Sequence, residues 1–456
     1  MLGLESCKVD YLYWDLEEVA KAMEAPRPPS HARQGEVALC WNRWDSLVRQ
    51  GAFFKALGRV NWRVVPDAPK LPVSLLDEIA RLGALLETLL TGVEKTLAGS
   101  PFLRHELGFP ACPQEERLWE LENGRPLDMM RLDLALEKGE HPRLLEIQVV
   151  MGGLGITHAL RQAYGHHPSL PGILPLYEAC LERVREAVGG YESGVTAVFG
   201  AKRSSYRHEH LLLSRSLKSG GLVVAPLSAM SPSPGGGLAL PDGRKVTVIH
   251  RLFRSPGIFK RAEPKAKMLL EALSENRIRL LNPWKDVLED KRILALVHHP
   301  EAEEQLKGFL DPKQLQELRA YIPCTWRATP EYITTVSDLS ASKRSFYLKK
   351  GRSFESRALF HGRRLSLKQW EAACLKAKTE GDWVIQKEVH SRPWDWRYLE
   401  PSSGIIRSMK GYVRLCPFFF RDSQGRMTLA DLLITAREES SRVHGASDAV
   451  LVVPGP

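Results

Sequence analysis

The chain has 456 residues, and 64 Lys+Arg against 54 Asp+Glu give a formal net charge of +10. Hydrophobic residues make up 43% and charged residues 26%, a globular balance that excludes disorder as the main state. Glycine (35) and proline (30) stand near ordinary levels, which excludes collagen-like and low-complexity chains.

The first residues, Met1-Leu2-Gly3-Leu4-Glu5, hold no basic segment followed by an apolar run, so no secretory signal is expected. Residues 1–120 read as a mainly helical region. Apolar positions recur at helical spacing from Val73 to Leu97, and Trp41, Trp44 and Trp62 can fill a core. The most apolar window, Leu75 to Val93, contains Asp77, Glu78, Arg81 and Glu87, which marks an amphipathic helix rather than a membrane span. The 7 cysteines are scattered and form no C-x-x-C pair. That pattern predicts neither a disulfide framework nor a zinc site, and it suits a reducing cytosol.

Residues 121–190 begin with two runs of period two. Leu132, Leu134 and Leu136 alternate with Arg131, Asp133 and Ala135; after a polar turn, Leu145, Ile147 and Val149 alternate with Leu144, Glu146 and Gln148. Such alternation predicts half-buried strands. Residues i and i+2 of a strand share a face, so a turn centred near Glu140 sets Asp133 close to Glu146. The hairpin then presents two carboxylates, an amide and a guanidinium together. Like charges at that range repel, and a hard divalent cation such as Mg²⁺ resolves this with oxygen ligands. The other reading of the same spacing is a solvated hairpin face with a structural Arg131–Asp133 contact. Gly152-Gly153-Leu154-Gly155 follows, ahead of a helix over Ile156–Tyr164; it reads as a simple turn, although glycines there let backbone N–H groups approach an anion.

Residues 172–190 read as a helix. Within residues 191–285, strand 195–200, a Leu-rich helix at 211–217 and strand 222–225 argue for a parallel α/β unit, and Leu238–Val248 for a hairpin turning at Asp242-Gly243. Residues 286–456 hold a helix over about 287–297 and a strand-rich stretch from Phe346 onward. Trp394, Trp396, Arg392, Arg397 and Tyr398 lie close together and could stack nucleic-acid bases. No recognisable module surrounds them, so an aromatic-rich structural loop is the reading kept and nucleic acid is not an expected partner.

Several later segments join the acidic hairpin in one order. They are Asn282-Pro283-Trp284 leading to Asp290-Lys291-Arg292, the strand Phe346-Tyr347-Leu348-Lys349, Gly362 to Trp370-Glu371, and Trp383-Val384-Ile385-Gln386-Lys387-Glu388-Val389. In order and spacing they resemble the circularly permuted ATP-grasp proteins, the glutathionylspermidine-synthase-like group. The resemblance covers roughly residues 125–165 and 245–400. It implies an α+β, α/β chain with an ATP-grasp-type fold in permuted order: a helical N-terminal region, a hairpin belonging to a composite core, a pre-ATP-grasp-like α/β unit, and a nucleotide-binding region with a lid. It further implies that Lys291 and Lys349 contact ATP phosphates and that Gln386, Lys387, Glu388 and Val389 form a hinge strand whose backbone pairs with adenine. Asp133, Glu146 and Gln148 would hold Mg²⁺ or Mn²⁺. Arg131 would stabilise the transferring group, and Arg251 would bind an acidic substrate or a phosphate.

Three features depart from the family pattern. Gln148 stands where Asn is usual, no proline follows Lys349, and the lid reads Gly351-Arg352-Ser353-Phe354-Glu355-Ser356-Arg357 in place of a glycine-rich loop. The expected activity is ATP-dependent ligation of a carboxylate to an amine through an acyl phosphate, in the cytoplasm. A non-catalytic nucleotide-binding or scaffold protein is the alternative that the altered lid favours.

Overall fold

The computed structural model describes residues 35–52, 62–137, 141–189, 195–200, 207–217, 221–254, 258–259, 263–330, 332–333, 342–353, 358–400, 403–438 and 449–456. Helices Gly35–Gln50, Val73–Leu97, Pro101–Leu107 and Pro113–Leu121 make up the helical N-terminal region, and Trp41, Trp44 and Trp62 are buried in it. The expected periodic segment and the long helix have the same limits. Among the described residues no helix is long and apolar enough to cross a membrane. Cys40, Cys112, Cys180, Cys324, Cys374 and Cys416 are unbridged, while Cys7 lies outside the described residues.

β1 (Met129–Leu136) and β2 (Pro142–Gln148) form the hairpin, with Arg131 opposite Gln148 and Asp133 opposite Glu146. The turn residues 138–140 lie outside the described set. Alternation predicts one wet face, yet every residue of β1 is buried. The strand is interior to its sheet, and helices Val73–Leu97 and Ile173–Glu186 pack on that sheet. Arg131 and Asp133 are therefore carried inward, where each needs a partner.

β3 (Val195–Gly200), helix Arg207–Ser216 and β4 (Leu222–Pro226) form the expected parallel unit. β5 (Ser231–Pro232) and β6 (Leu238–Ala239) form one edge. β7 (Lys245–Arg251) pairs antiparallel with β6 across the Asp242-Gly243 turn, and parallel with both β3 and β8 (Arg279–Leu281). The turn uses Gly243 at φ 84°, a conformation that glycine adopts without strain.

Downstream, a single helix over 287–297 is not formed. A 3₁₀ turn, Asp286–Glu289, and a short helix, Arg292–Leu296, replace it. The Asp290 carboxylate causes the break: it accepts from the Arg292 backbone N–H at 2.9 Å and pairs with the Arg292 guanidinium. β9 (Thr325–Arg327), β10 (Phe346–Lys350), β11 (Leu359–His361) and β12 (Trp383–Lys387) then form a small antiparallel sheet in the order β11-β10-β12-β9. Helix Leu367–Glu380 covers it, opened by a Ser366/Gln369 capping box and closed by Gly381 at φ 69°.

β13 (Trp394–Glu400), β14 (Ile405–Arg421), β15 (Met427–Arg437) and β16 (Val450–Val452) return the chain to the first sheet. Trp394 and Trp396, expected in a loop, are strand residues; β13 pairs along the first half of β14. The second half of β14 lies between β1 and β15, so the end of the chain closes the sheet that the hairpin began. Gly83 lets the long helix approach that sheet, since a Cβ there would sit 2.2 Å from the Phe419 ring.

Candidate active site

Asp133 is the centre of the site. Arg131 Nη2 donates to its Oδ1 at 3.2 Å, and Arg414 Nη1 donates to its Oδ2 at 2.8 Å. Gln148 Nε2 also reaches Oδ2, at 3.4 Å. Arg414 lies on β14 opposite Ala135, two residues from Asp133 along β1, which makes it a diagonal neighbour within reach of a long side chain. Burial alone would raise the Asp133 carboxyl, but Arg414 and Arg131 outweigh it and hold the group below the ordinary carboxylate range.

The two lysines expected from the later chain arrive at the same place. Lys291 Nζ lies 3.3 Å from Glu146 Oε1 and donates to the Ser353 carbonyl at 2.6 Å. Lys349 Nζ donates to Gln386 Oε1, and Gln386 Nε2 in turn donates to Thr325 Oγ1 at 3.0 Å. Burial pushes the Lys349 ammonium down to about 8; Glu146 and Asp133 pull it up, and Lys291 pushes it further down. Residues 133, 146, 291 and 349 thus act on one another electrostatically, although sequence alone separates hairpin and lysines widely. Four cationic heads (Arg131, Arg414, Lys291 and Lys349) meet the Asp133 and Glu146 carboxylates, and Arg131 also acts on Glu209, so the cations outnumber the carboxylates. Such a site attracts an anion.

The hinge segment is placed differently from expectation. β12 ends at Lys387, so Glu388 and Val389 lie beyond the strand. The Lys387 and Glu388 N–H groups donate to the Cys324 and Ser345 carbonyls at 2.9 and 2.7 Å. The Glu388 side chain pairs with His361 and Arg363. Tyr347 shares the strand face of Lys349 and stacks on His361, with centroids 4.2 Å apart. The side chain of Gln386 thus orients Lys349, a role the sequence does not announce.

Arg251 is not brought to the cluster. Its guanidinium donates to Asp286, to the Phe253 and Pro283 carbonyls and to the Asn282 carbonyl, and so fixes segment 282–286 against β7. The residue that faces the site from this stretch is Arg254, which pairs with Glu289 and acts electrostatically on Glu146. Glu289 also accepts from the Val149 and Val150 N–H groups at 3.1 Å, fixing the end of β2. Sequence reasoning missed Arg254 and Arg414. The first could have been flagged as the second arginine of Arg251-Leu252-Phe253-Arg254, and the second carried no local signal.

The glycine turn does approach an anion, but that anion is internal. The Glu209 carboxylate accepts from the Gly153 N–H at 2.7 and 2.8 Å, at the N-terminus of helix Leu154–Tyr164. Burial pushes its carboxyl up to about 7 against the pull of those N–H groups. The start of the segment expected to be a lid is tied down as well: Arg352 pairs with Glu115 at 2.7 Å and with Asp290 at 3.2 Å. Residues 354–357 of that segment lie outside the described set. Asp431, on β15, pairs with Arg161 at 3.3 Å.

A protein-held divalent cation fits these residues poorly. Mg²⁺ needs oxygen ligands at about 2.0–2.1 Å. Both Asp133 oxygens already carry guanidinium N–H groups, and the Gln148 amide turns its nitrogen, not its oxygen, toward Asp133. Among the described residues no group of three His, Cys, Asp or Glu is arranged to hold a metal.

No protein-family model matches the chain, and no curated protein matches it either. Among solved structures it is similar to a glutathione synthetase-like effector from Globodera pallida in its apo form, with a TM-score of 0.58 and 11% identity over 94% of this chain and 99% of the other. It is also similar to D-alanyl-alanine synthetase A from Vibrio cholerae, with a TM-score of 0.27 and 11% identity over 53% of this chain and 88% of the other. Of these two, the effector alone superposes well enough to bear on the fold. The chain is a mixed helix-and-sheet protein with an ATP-grasp-type fold.

Proposed function

We propose that the chain is an ATP-dependent ligase that joins a carboxylic acid to an amine, built in the circularly permuted order. The observation that carries this reading is the meeting of Asp133 and Glu146, from the early hairpin, with Lys291 and Lys349 from the late chain. In the permuted order the acidic strand precedes the lysines, as here. Residues 121–190 and 286–456 then form the composite core, 191–285 the substrate unit, and 1–120 a helical support. The γ-phosphoryl group of ATP passes to a carboxylate oxygen, releasing ADP. The amine nitrogen then attacks the acyl carbon, phosphate leaves, and a proton leaves the nitrogen.

Lys291 and Lys349 hold the phosphates by charge, and Arg131 meets the transferring group. Asp133 and Glu146 keep these cations aimed. The adenine lies against the small sheet near Val389 and the Tyr347–His361 stack. The divalent ion on which such a transfer draws, magnesium or manganese, would come bound to the nucleotide phosphates. Catalysis is then mainly positioning and electrostatics.

A second reading, nucleotide binding without turnover, is favoured by the engaged Asp133 oxygens and by the Ser353 carbonyl seated on Lys291. ADP release distinguishes the two. With pooled carboxylates and amines, the ligase reading expects release that depends on both additions. Tight ATP binding with no release across the pools supports the second reading, and no binding removes both.

A further inference from the structure

Arg414 has no counterpart among the expected site residues, yet it makes the shortest contact to Asp133. Its head is fixed on two sides. Nη1 donates to Asp133 Oδ2 at 2.8 Å, and Nε donates to Thr435 Oγ1 at 3.3 Å from the neighbouring strand β15. Among the described residues Nη2 carries no hydrogen bond, and the side chain keeps 17% exposure. The plane of the guanidinium is therefore fixed through Nε and Nη1, and Nη2 is the nitrogen left for a ligand.

The charge balance points the same way. A hairpin carrying two carboxylates would need an added cation to accept a polyphosphate. Here the added cation is part of the chain. A divalent ion placed on Asp133 would meet the Arg131 and Arg414 guanidiniums at contact distance and would add positive charge to a cluster already in excess. A polyphosphate, in contrast, meets a cluster in which ammonium and guanidinium groups outnumber carboxylates.

We propose that Arg414 takes the electrostatic place of a protein-bound divalent cation at the Asp133–Glu146 pair, so that this site binds a nucleotide polyphosphate without a metal. The inference rests on the nucleotide reading of the site and specifies how the phosphates are recognised. Arg131 and Arg414 satisfy Asp133 from both sides, Lys291 satisfies Glu146, and the remaining donors face the phosphate oxygens. The metal requirement of binding is thereby separated from any metal requirement of phosphoryl transfer.

The test is calorimetric titration of the full chain with ADP, once in EDTA and once in magnesium. The wild type is expected to bind with dissociation constants that agree within about threefold. Arg414→Met removes a charge-assisted donor and is expected to weaken binding in EDTA by about tenfold or more. Magnesium should restore the lost affinity, because Asp133 Oδ2 then keeps only the 3.4 Å contact from Gln148 and can take a cation once that amide turns. Arg414→Lys keeps the charge and should retain binding in EDTA. A wild type that binds ADP in magnesium but loses it in EDTA overturns the inference and leaves the nucleotide site standing. Failure to bind ADP in either buffer overturns the site itself. The wild-type comparison needs no variant to fold.

Discussion

Replacing Lys349 by methionine is expected to weaken ATP binding by about 100-fold and to remove ADP release, because one phosphate-facing ammonium is lost from a partly buried site. Fluorescence competition with a labelled nucleotide measures the first, and a coupled ADP assay the second. Binding within about threefold of the wild type would remove Lys349 from the phosphate site. The same residue sets a pH dependence. Burial lowers its folded pKa from the ordinary 10.5 to about 8. Between those values the unfolded chain holds more of this proton than the folded chain does. The contribution of Lys349 to stability therefore rises with pH across that window, and below it the buried charge opposes folding. Nucleotide binding has the opposite sign. Phosphates favour the ammonium, so affinity is fully present below about 8 and falls above it as the free protein loses the proton. Proton uptake on binding above that pH, seen as buffer-dependent heat, checks the sign.

Replacing Asp133 by asparagine should be the most destabilising conservative change in the site. It leaves the Arg131 and Arg414 guanidiniums buried against each other without the charge that pairs them. Breaking a buried pair of this kind costs on the order of 3 kcal/mol, which urea unfolding can read. Turnover should be lost, because the cations are no longer aimed. Metal-free ADP binding, however, should stay within about threefold or tighten, since the cluster gains net positive charge. Loss of metal-free binding together with turnover would contradict this charge-balance account of the acidic pair.

The contrast between Asp133 and Arg414 shows what the sequence could reveal. The Asp133–Glu146 pairing was legible because a short turn and period-two patterning fix a hairpin register locally. The parallel unit of β3 and β4 was legible from strand–helix–strand order for the same reason. Arg414 lies 281 residues from Asp133, and only knowledge that β14 runs beside β1 places it there. The full burial of β1 was hidden likewise, because alternation describes a strand and not its neighbours. Arg251 and Arg254 look equivalent in sequence; Asp286 captures the first and Glu289 the second. Glu209 had no signal at all, since the glycines that receive it tell only that some acceptor can come close. The ATP-grasp-type fold followed from the joint order of short motifs, and the structural similarity supports it at the level of fold.

The most direct measurement is a structure of the full chain with a non-hydrolysable ATP analogue. The account predicts phosphate oxygens within hydrogen-bond distance of Lys291 Nζ, Lys349 Nζ and Arg414 Nη2, with Asp133 still held by both arginines. Phosphates bound elsewhere, or an analogue that leaves these side chains untouched, would contradict it.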